Sequence, residues 1–118
     1  MGHFDKLVRF VLQGHVAPVS YVRISNDNTL AVSGANDKTI RIWNLKEKKQ
    51  IEVFQGHTSN VNCVDITNDN KFVVSGSADK TGRLWSCSKK RQINCYKGHS
   101  TSIVSVAFTK YNRYIVFA

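Results

Sequence analysis

Three Gly-His dipeptides recur at one interval in this chain of 118 residues: Gly14-His15, Gly56-His57 and Gly98-His99, each 42 residues after the last. A fixed period of this length means that one supersecondary unit is repeated along the chain. Such a unit cannot bury its apolar face alone, so each copy supplies part of its neighbour's core. Two complete copies, residues 13–54 and 55–96, align without a gap. Their identical pairs include Ser33-Gly34/Ser75-Gly76, Asp37-Lys38-Thr39/Asp79-Lys80-Thr81, Arg41/Arg83 and Trp43/Trp85. A partial third copy occupies residues 97–118, so 1–118 reads as one repeat segment.

Each complete copy divides into four short runs rich in β-formers with turn residues between them, the pattern of an all-β repeat. In the first copy the predicted strands are 19–24, 30–33, 39–44 and 50–54; in the second they are 61–66, 72–75, 81–86 and 92–96. A run at 8–12 precedes them, and runs at 103–108 and 113–117 follow, which makes eleven. The triplets Asn26-Asp27-Asn28 and Asn68-Asp69-Asn70 supply residues that tolerate the left-handed geometry of a tight turn. Val19, Tyr21, Val22 and Ile24 place apolar side chains on both faces of one strand, as expected of sheets sandwiched between sheets.

The period, the Gly-His pair near the start of each copy and the tryptophan near its end resemble the WD40 repeat family. The residue after the tryptophan has drifted to Asn44 and Ser86. The resemblance implies four-stranded antiparallel blades arranged as a β-propeller. About two and a half blades fall short of the ~4–8 that close a ring. The expectation is therefore an open, partial propeller, a fragment of a longer one, that associates with further WD40 blades.

The resemblance also implies a role for the recurring polar residues. In this family a histidine, serine, aspartate and tryptophan form a buried hydrogen-bonded tetrad within a blade. Here the sets are His15, Ser33, Asp37 and Trp43, and His57, Ser75, Asp79 and Trp85. A serine, histidine and aspartate could equally form a hydrolase triad, given an oxyanion hole and a substrate cleft. Recurrence in each blade favours the structural role, so no catalytic residue and no enzyme activity is expected. In the third copy His99 is present, but Phe117 stands in the place of Ser33 and Ser75.

Partner-binding positions carried over from the family are Pro18, Asn36, Asn60 and Ala78, all small or neutral. The resemblance implies protein partners and a scaffold function. A different class of function is raised by charge. Seventeen Lys and Arg against eight Asp and Glu give +9, and Lys48, Lys49, Lys90 and Arg91 fall in equivalent loops. These four are candidate polyanion contacts for RNA or a ribosome, or else merely solvated lysines. A third reading is an incomplete gene product without independent function.

Three cysteines without paired spacing point to a reducing compartment and to no metal site or cofactor. No secretory signal and no run of ~18 apolar residues is present, so a cytoplasmic or nuclear location without a membrane span is expected.

Overall fold

The computed structural model describes Val11 and residues 13–118. The predicted strand at 8–12 lies outside the described residues apart from Val11. Ten strands are described: β1 Val19–Ile24, β2 Leu30–Ala35, β3 Thr39–Asn44, β4 Lys49–Gln55, β5 Val61–Ile66, β6 Phe72–Ser77, β7 Gly82–Ser86, β8 Arg91–Tyr96, β9 Val106–Phe108 and β10 Ile115–Phe117. They form two antiparallel four-stranded meanders, β1-β2-β3-β4 and β5-β6-β7-β8, and an antiparallel pair of β9 and β10. The sheets are unclosed, in keeping with a partial propeller.

The turns explain the meander. Asp27 accepts the hydroxyls of Ser25 and Thr29 and the Thr29 amide, which folds the chain back on itself while Asn28 takes φ 63°. Thr67, Asp69 and Asn70 build the same turn one sheet later, with Asn70 at φ 62°. Because every neighbouring pair is antiparallel, the β1–β2 and β3–β4 turns emerge at one end of the blade. The Gly-His segment and the β2–β3 turn lie at the other. These are called here the turn end and the Gly-His end.

The core lies between sheets. Val32, Ile40, Ile42 and Phe54 of the first pack with Val61, Val64, Ile66, Val73 and Trp85 of the second, and Phe54 stacks on Trp85 at 5.0 Å. Cys63 and Val74 pack in turn with Ile103 and Val106 ahead of and within β9. Enclosing each large aliphatic side chain contributes about 1.5–3 kcal/mol. Gly34 sits where a Cβ would come within 2.6 Å of Val61, and Gly76 where it would come within 2.4 Å of Ile103. These glycines let the next blade approach, and β2 and β6 run on to Ala35 and Ser77, beyond the predicted ends, because those residues pair with Val19 and Val61. Polar contacts repeat along with them. The Ser20 hydroxyl donates to the Val61 carbonyl, and the equivalent Asn62 amide donates to the Ile103 carbonyl at 3.0 Å.

Two expectations differ from the structure. The strand β1 is exposed throughout, whereas its equivalent β5 is almost wholly buried. The reason is positional: β5 is covered by β1 and β2, and no described residue covers the corresponding face of β1. The third copy is also less regular than its sequence promised. Strands expected at 103–108 and 113–117 shorten to Val106–Phe108 and Ile115–Phe117. The Val104 and Ser105 amides both turn to the Ala118 carbonyl, and the segment Lys110–Asn112 between the two strands kinks at Tyr111.

Candidate functional site

The recurring polar residues meet inside each blade. Trp43 Nε1 donates to Ser33 Oγ at 2.8 Å, Ser33 Oγ lies 2.7 Å from His15 Nε2, and His15 Nδ1 lies 2.8 Å from Asp37 Oδ2. In the second blade the distances are 2.9, 2.7 and 2.8 Å among Trp85, Ser75, His57 and Asp79. An indole N–H can only donate, so the serine oxygen accepts from it and directs its own proton to the histidine. This assigns Nε2 as an acceptor and leaves the ring proton on Nδ1, where it donates to the carboxylate. The chain of donors therefore has one direction and ends on a charge.

The carboxylates are held as anions. Burial works against ionisation of Asp37, but hydrogen bonds from Thr39 and His15 outweigh it and hold the group at about 2. Asp79 is lowered in the same way by Thr81 and His57 against the effect of burial. Burial lowers the His57 pKa despite the attraction of Asp79, which keeps that ring neutral. Thr39 donates to Asp37 Oδ1 at 2.6 Å, and the Val16 amide donates to Oδ2 at 3.1 Å. Strand, loop and turn are thereby joined at one carboxylate.

Sequence reasoning named four members of each set and missed the remainder. Arg41 donates to Gln50 at 2.8 Å and reaches Thr39 through Nε at 3.3 Å; Arg83, Gln92 and Thr81 repeat the arrangement. Recurrence of these three residues at the 42-residue period was the available signal. Gly14 and Gly56 complete the packing, since a Cβ there would lie 2.9 and 3.1 Å from the tip of the Trp43 or Trp85 ring.

In bare distances the serine, histidine and aspartate have the layout of a hydrolase triad. Access decides against that chemistry. Ser33 and Ser75 are 0% exposed, and each hydroxyl oxygen already accepts the indole proton. A nucleophile must reach a carbonyl carbon, and these oxygens are enclosed. In the third copy the set is replaced by packing. Phe117 lies edge-on to His99 at 5.7 Å and tilted to Tyr96 at 5.4 Å. It fills space over Gly82, where a Cβ would come within 2.2 Å of its ring. Ile40 and Ser75 of the first interface thus become Gly82 and Phe117 in the second, small for large and large for small.

The chain matches the model of the WD domain, G-beta repeat (WD40) at residues 6–44, 48–86 and 90–118. This chain belongs to the WD40 repeat family. Among curated proteins it is similar to the APC/C activator protein CDH1 of Saccharomyces cerevisiae, 44% identical over 43 residues, 36% of this chain and 8% of that protein. It is also similar to coatomer subunit alpha-1 of Arabidopsis thaliana, 36% identical over 52 residues, 44% of this chain and 4% of that protein. The matched stretches span less than a tenth of the length of either relative.

The remaining sequence candidates fall at the two ends of this WD40 segment. Pro18 and Asn36 are exposed at the Gly-His end and joined by a 2.9 Å backbone hydrogen bond, as Asn60 and the half-buried Ala78 are at 3.0 Å. Lys48, Lys49, Lys90 and Arg91 are exposed at the turn end, with Lys48 and Lys90 both at φ 57°. Cys63 is buried, Cys87 is half-buried, and burial pushes both thiols up to about 11. Among the described residues no group of three or more His, Cys, Asp or Glu could hold a metal ion. No helix among them is long and apolar enough to cross a membrane.

Proposed function

We propose that this chain is a non-enzymatic protein-interaction scaffold of the WD40 type, part of a longer propeller, working in the reducing cytoplasm or nucleus. The observation that carries this reading is the enclosure of Ser33 and Ser75, whose hydroxyls are consumed inside the blade. The residues with the most reactive composition act as struts, and what the fold offers to solvent is surface. Membership of a family whose members serve as scaffolds supports the same conclusion, as do relatives named as an APC/C activator protein and a coatomer subunit. The test is amine-reactive cross-linking of the full protein isolated from its own cells, followed by peptide mapping. Stoichiometric cross-links to a protein partner at either end of the blades are expected. Turnover of an ester or amide that depends on Ser33 or Ser75 would contradict the reading.

Charge at the turn end supports a second reading, a polyanion-binding module. Lys48, Lys49, Lys90 and Arg91 are all exposed there, and Lys49 has its ammonium 3.7 Å from Glu47. Backbone-driven nucleic-acid binding falls steeply with ionic strength, whereas a packed protein interface does not. Retention on RNA that disappears between low and physiological salt would favour the module over the scaffold.

A further inference from the structure

We propose that the turn end carries a docking surface for an extended acidic segment of a partner protein, centred on Tyr111, Lys110 and Arg23. The inference rests on the scaffold reading and specifies its surface and the chemistry of its partner.

The turn between β9 and β10 departs from its two equivalents in an instructive way. In the first two sheets its central residue is Asp27 or Asp69, which accepts the hydrogen bonds that shape the turn. The residue held at positive φ there is an asparagine, Asn28 or Asn70. In the third sheet the aspartate's place is taken by Tyr111, and Tyr111 itself adopts φ 70°. Left-handed backbone suits asparagine and strains a bulky residue. The turn has therefore exchanged an internal anchor and a relaxed backbone for an aromatic ring that is 81% exposed. Strain of this sort is retained where a side chain has work to do outside its own fold.

The surroundings define what that ring would meet. Lys110 Nζ lies 5.4 Å from the centre of the Tyr111 ring, and Arg113 and Tyr114 are exposed beside it. A depression of about 380 Å³ is lined by Thr109 to Tyr111, Arg113 and Tyr114. A second, of about 400 Å³, opens between the sheets with Arg23, Asn26, Asp65 and Lys110 in its walls. Lys110 stands on the ridge shared by the two. Arg23 Nε lies 3.4 Å from Asp65 Oδ1, and the arginine side chain is half exposed. Asp65 itself is buried and occupied, accepting the Phe108 amide at 2.8 Å and the Ile66 amide at 2.9 Å. Asp27 is engaged within its own turn by Thr29, Ser25 and Asn70, while the exposed Glu47 pairs with Lys49. Among the described residues Lys46, Lys48, Lys89, Lys90, Lys110 and Arg113 have no ion pair.

Lys110 and Arg113 beside the exposed Tyr111 and Tyr114, with Arg23 in the depression that shares Lys110, complement a chain of carboxylates with an apolar contact at its middle. Tyrosine and arginine are also the residue types that concentrate interface energy. A protein segment fits better than single-stranded nucleic acid, because the aromatics are confined to one turn and do not line the basic rim as successive stacking platforms.

The test uses the full chain, a fluorescein-labelled octaglutamate peptide and a labelled oligouridylate of equal charge, with binding read by anisotropy at about 50 mM salt. Saturable binding of octaglutamate is expected, and Arg23→Gln/Lys110→Gln should weaken it at least ~10-fold. Lys38→Gln/Lys80→Gln, at the Gly-His end, should leave it unchanged. The discriminating variant is Tyr111→Asn. Asparagine suits the left-handed backbone, so its melting temperature should equal or exceed that of the parent while peptide affinity falls at least ~5-fold. Unchanged affinity in Tyr111→Asn, equal losses in the Lys38/Lys80 variant, absence of saturable peptide binding, or tighter binding of oligouridylate would each overturn the proposal. Cross-links of the native partner confined to Lys38 and Lys80 would overturn it while leaving the scaffold reading intact.

Discussion

Replacing Ser75 by alanine removes one oxygen and leaves two buried groups without partners. Ser75 Oγ accepts the Trp85 indole proton at 2.9 Å and donates to His57 Nε2 at 2.7 Å, and Ser75 is 0% exposed. Each orphaned group costs about 1–3 kcal/mol. The gap left by a hydroxyl is too small to admit a water that could replace both bonds. Two such groups sum to ~2–6 kcal/mol, and modest relaxation of the indole places the loss in the lower half of that range, at ~3 kcal/mol. Urea unfolding of parent and variant at equal concentration, followed by circular dichroism, measures it. Ser88→Ala, at an exposed position two residues beyond β7, is the control and should shift stability by less than ~0.5 kcal/mol. Trp85→Phe removes the indole N–H together with part of the ring, and in a double-mutant cycle with Ser75→Ala the packing loss cancels, leaving a coupling of ~1–2 kcal/mol. A loss below ~0.5 kcal/mol for Ser75→Ala would refute the argument that the network braces the blade.

Gly34→Ala places a Cβ within 2.6 Å of Val61 and should destabilise the chain by about 1–3 kcal/mol; Val61→Ala in the same molecule should recover part of that loss in thermal melts. The pH dependence follows from two depressed groups. His57 is lowered from an ordinary value of 6.5, so the unfolded chain binds the extra proton and stability declines as pH falls below that value. Asp37, held at about 2 against an ordinary 3.8, adds stability that is present above that ordinary value and lost as pH falls through the folded one. A titration of unfolding free energy that rose on acidification between pH 7 and 5 would contradict the assignment of a neutral His57. Val19, Tyr21, Val22 and Ile24 leave apolar side chains exposed along β1, so light scattering on a dilution series should reveal concentration-dependent association. Reversal of Lys48, Lys49, Lys90 and Arg91 to Glu should abolish retention on heparin if the polyanion reading holds, and equal retention would dismiss it.

Much of this architecture was legible because the repeat supplies its own comparison. Eight strands follow from two aligned copies in which Asn-Asp-Asn, Asp-Lys-Thr and Arg-x-Trp mark the same turns and strands. The four-residue networks were readable for the same reason, and Thr39, Arg41 and Gln50 could have been added from their counterparts. What the sequence did not disclose depends on position in the array. Val19 and Val61 have equivalent places and opposite exposure, because among the described residues only Val61 has a blade in front of it. The exchange of Ile40 and Ser75 for Gly82 and Phe117 becomes a compensation only when the two interfaces are compared in space. Tyr111 shared that difficulty. As a letter it is one more aromatic residue, and its meaning comes from a backbone angle and from the Lys110 ammonium beside it.

The central claim is that the two serine–histidine–aspartate sets are internal struts and not reaction centres. Its most direct test is exposure of the native chain to a serine-reactive fluorophosphonate, followed by intact-mass and peptide mass spectrometry. Enclosure of both hydroxyls predicts no adduct on Ser33 or Ser75 as long as the chain remains folded. A stoichiometric adduct on either serine under native conditions would show an accessible, activated nucleophile and contradict the account.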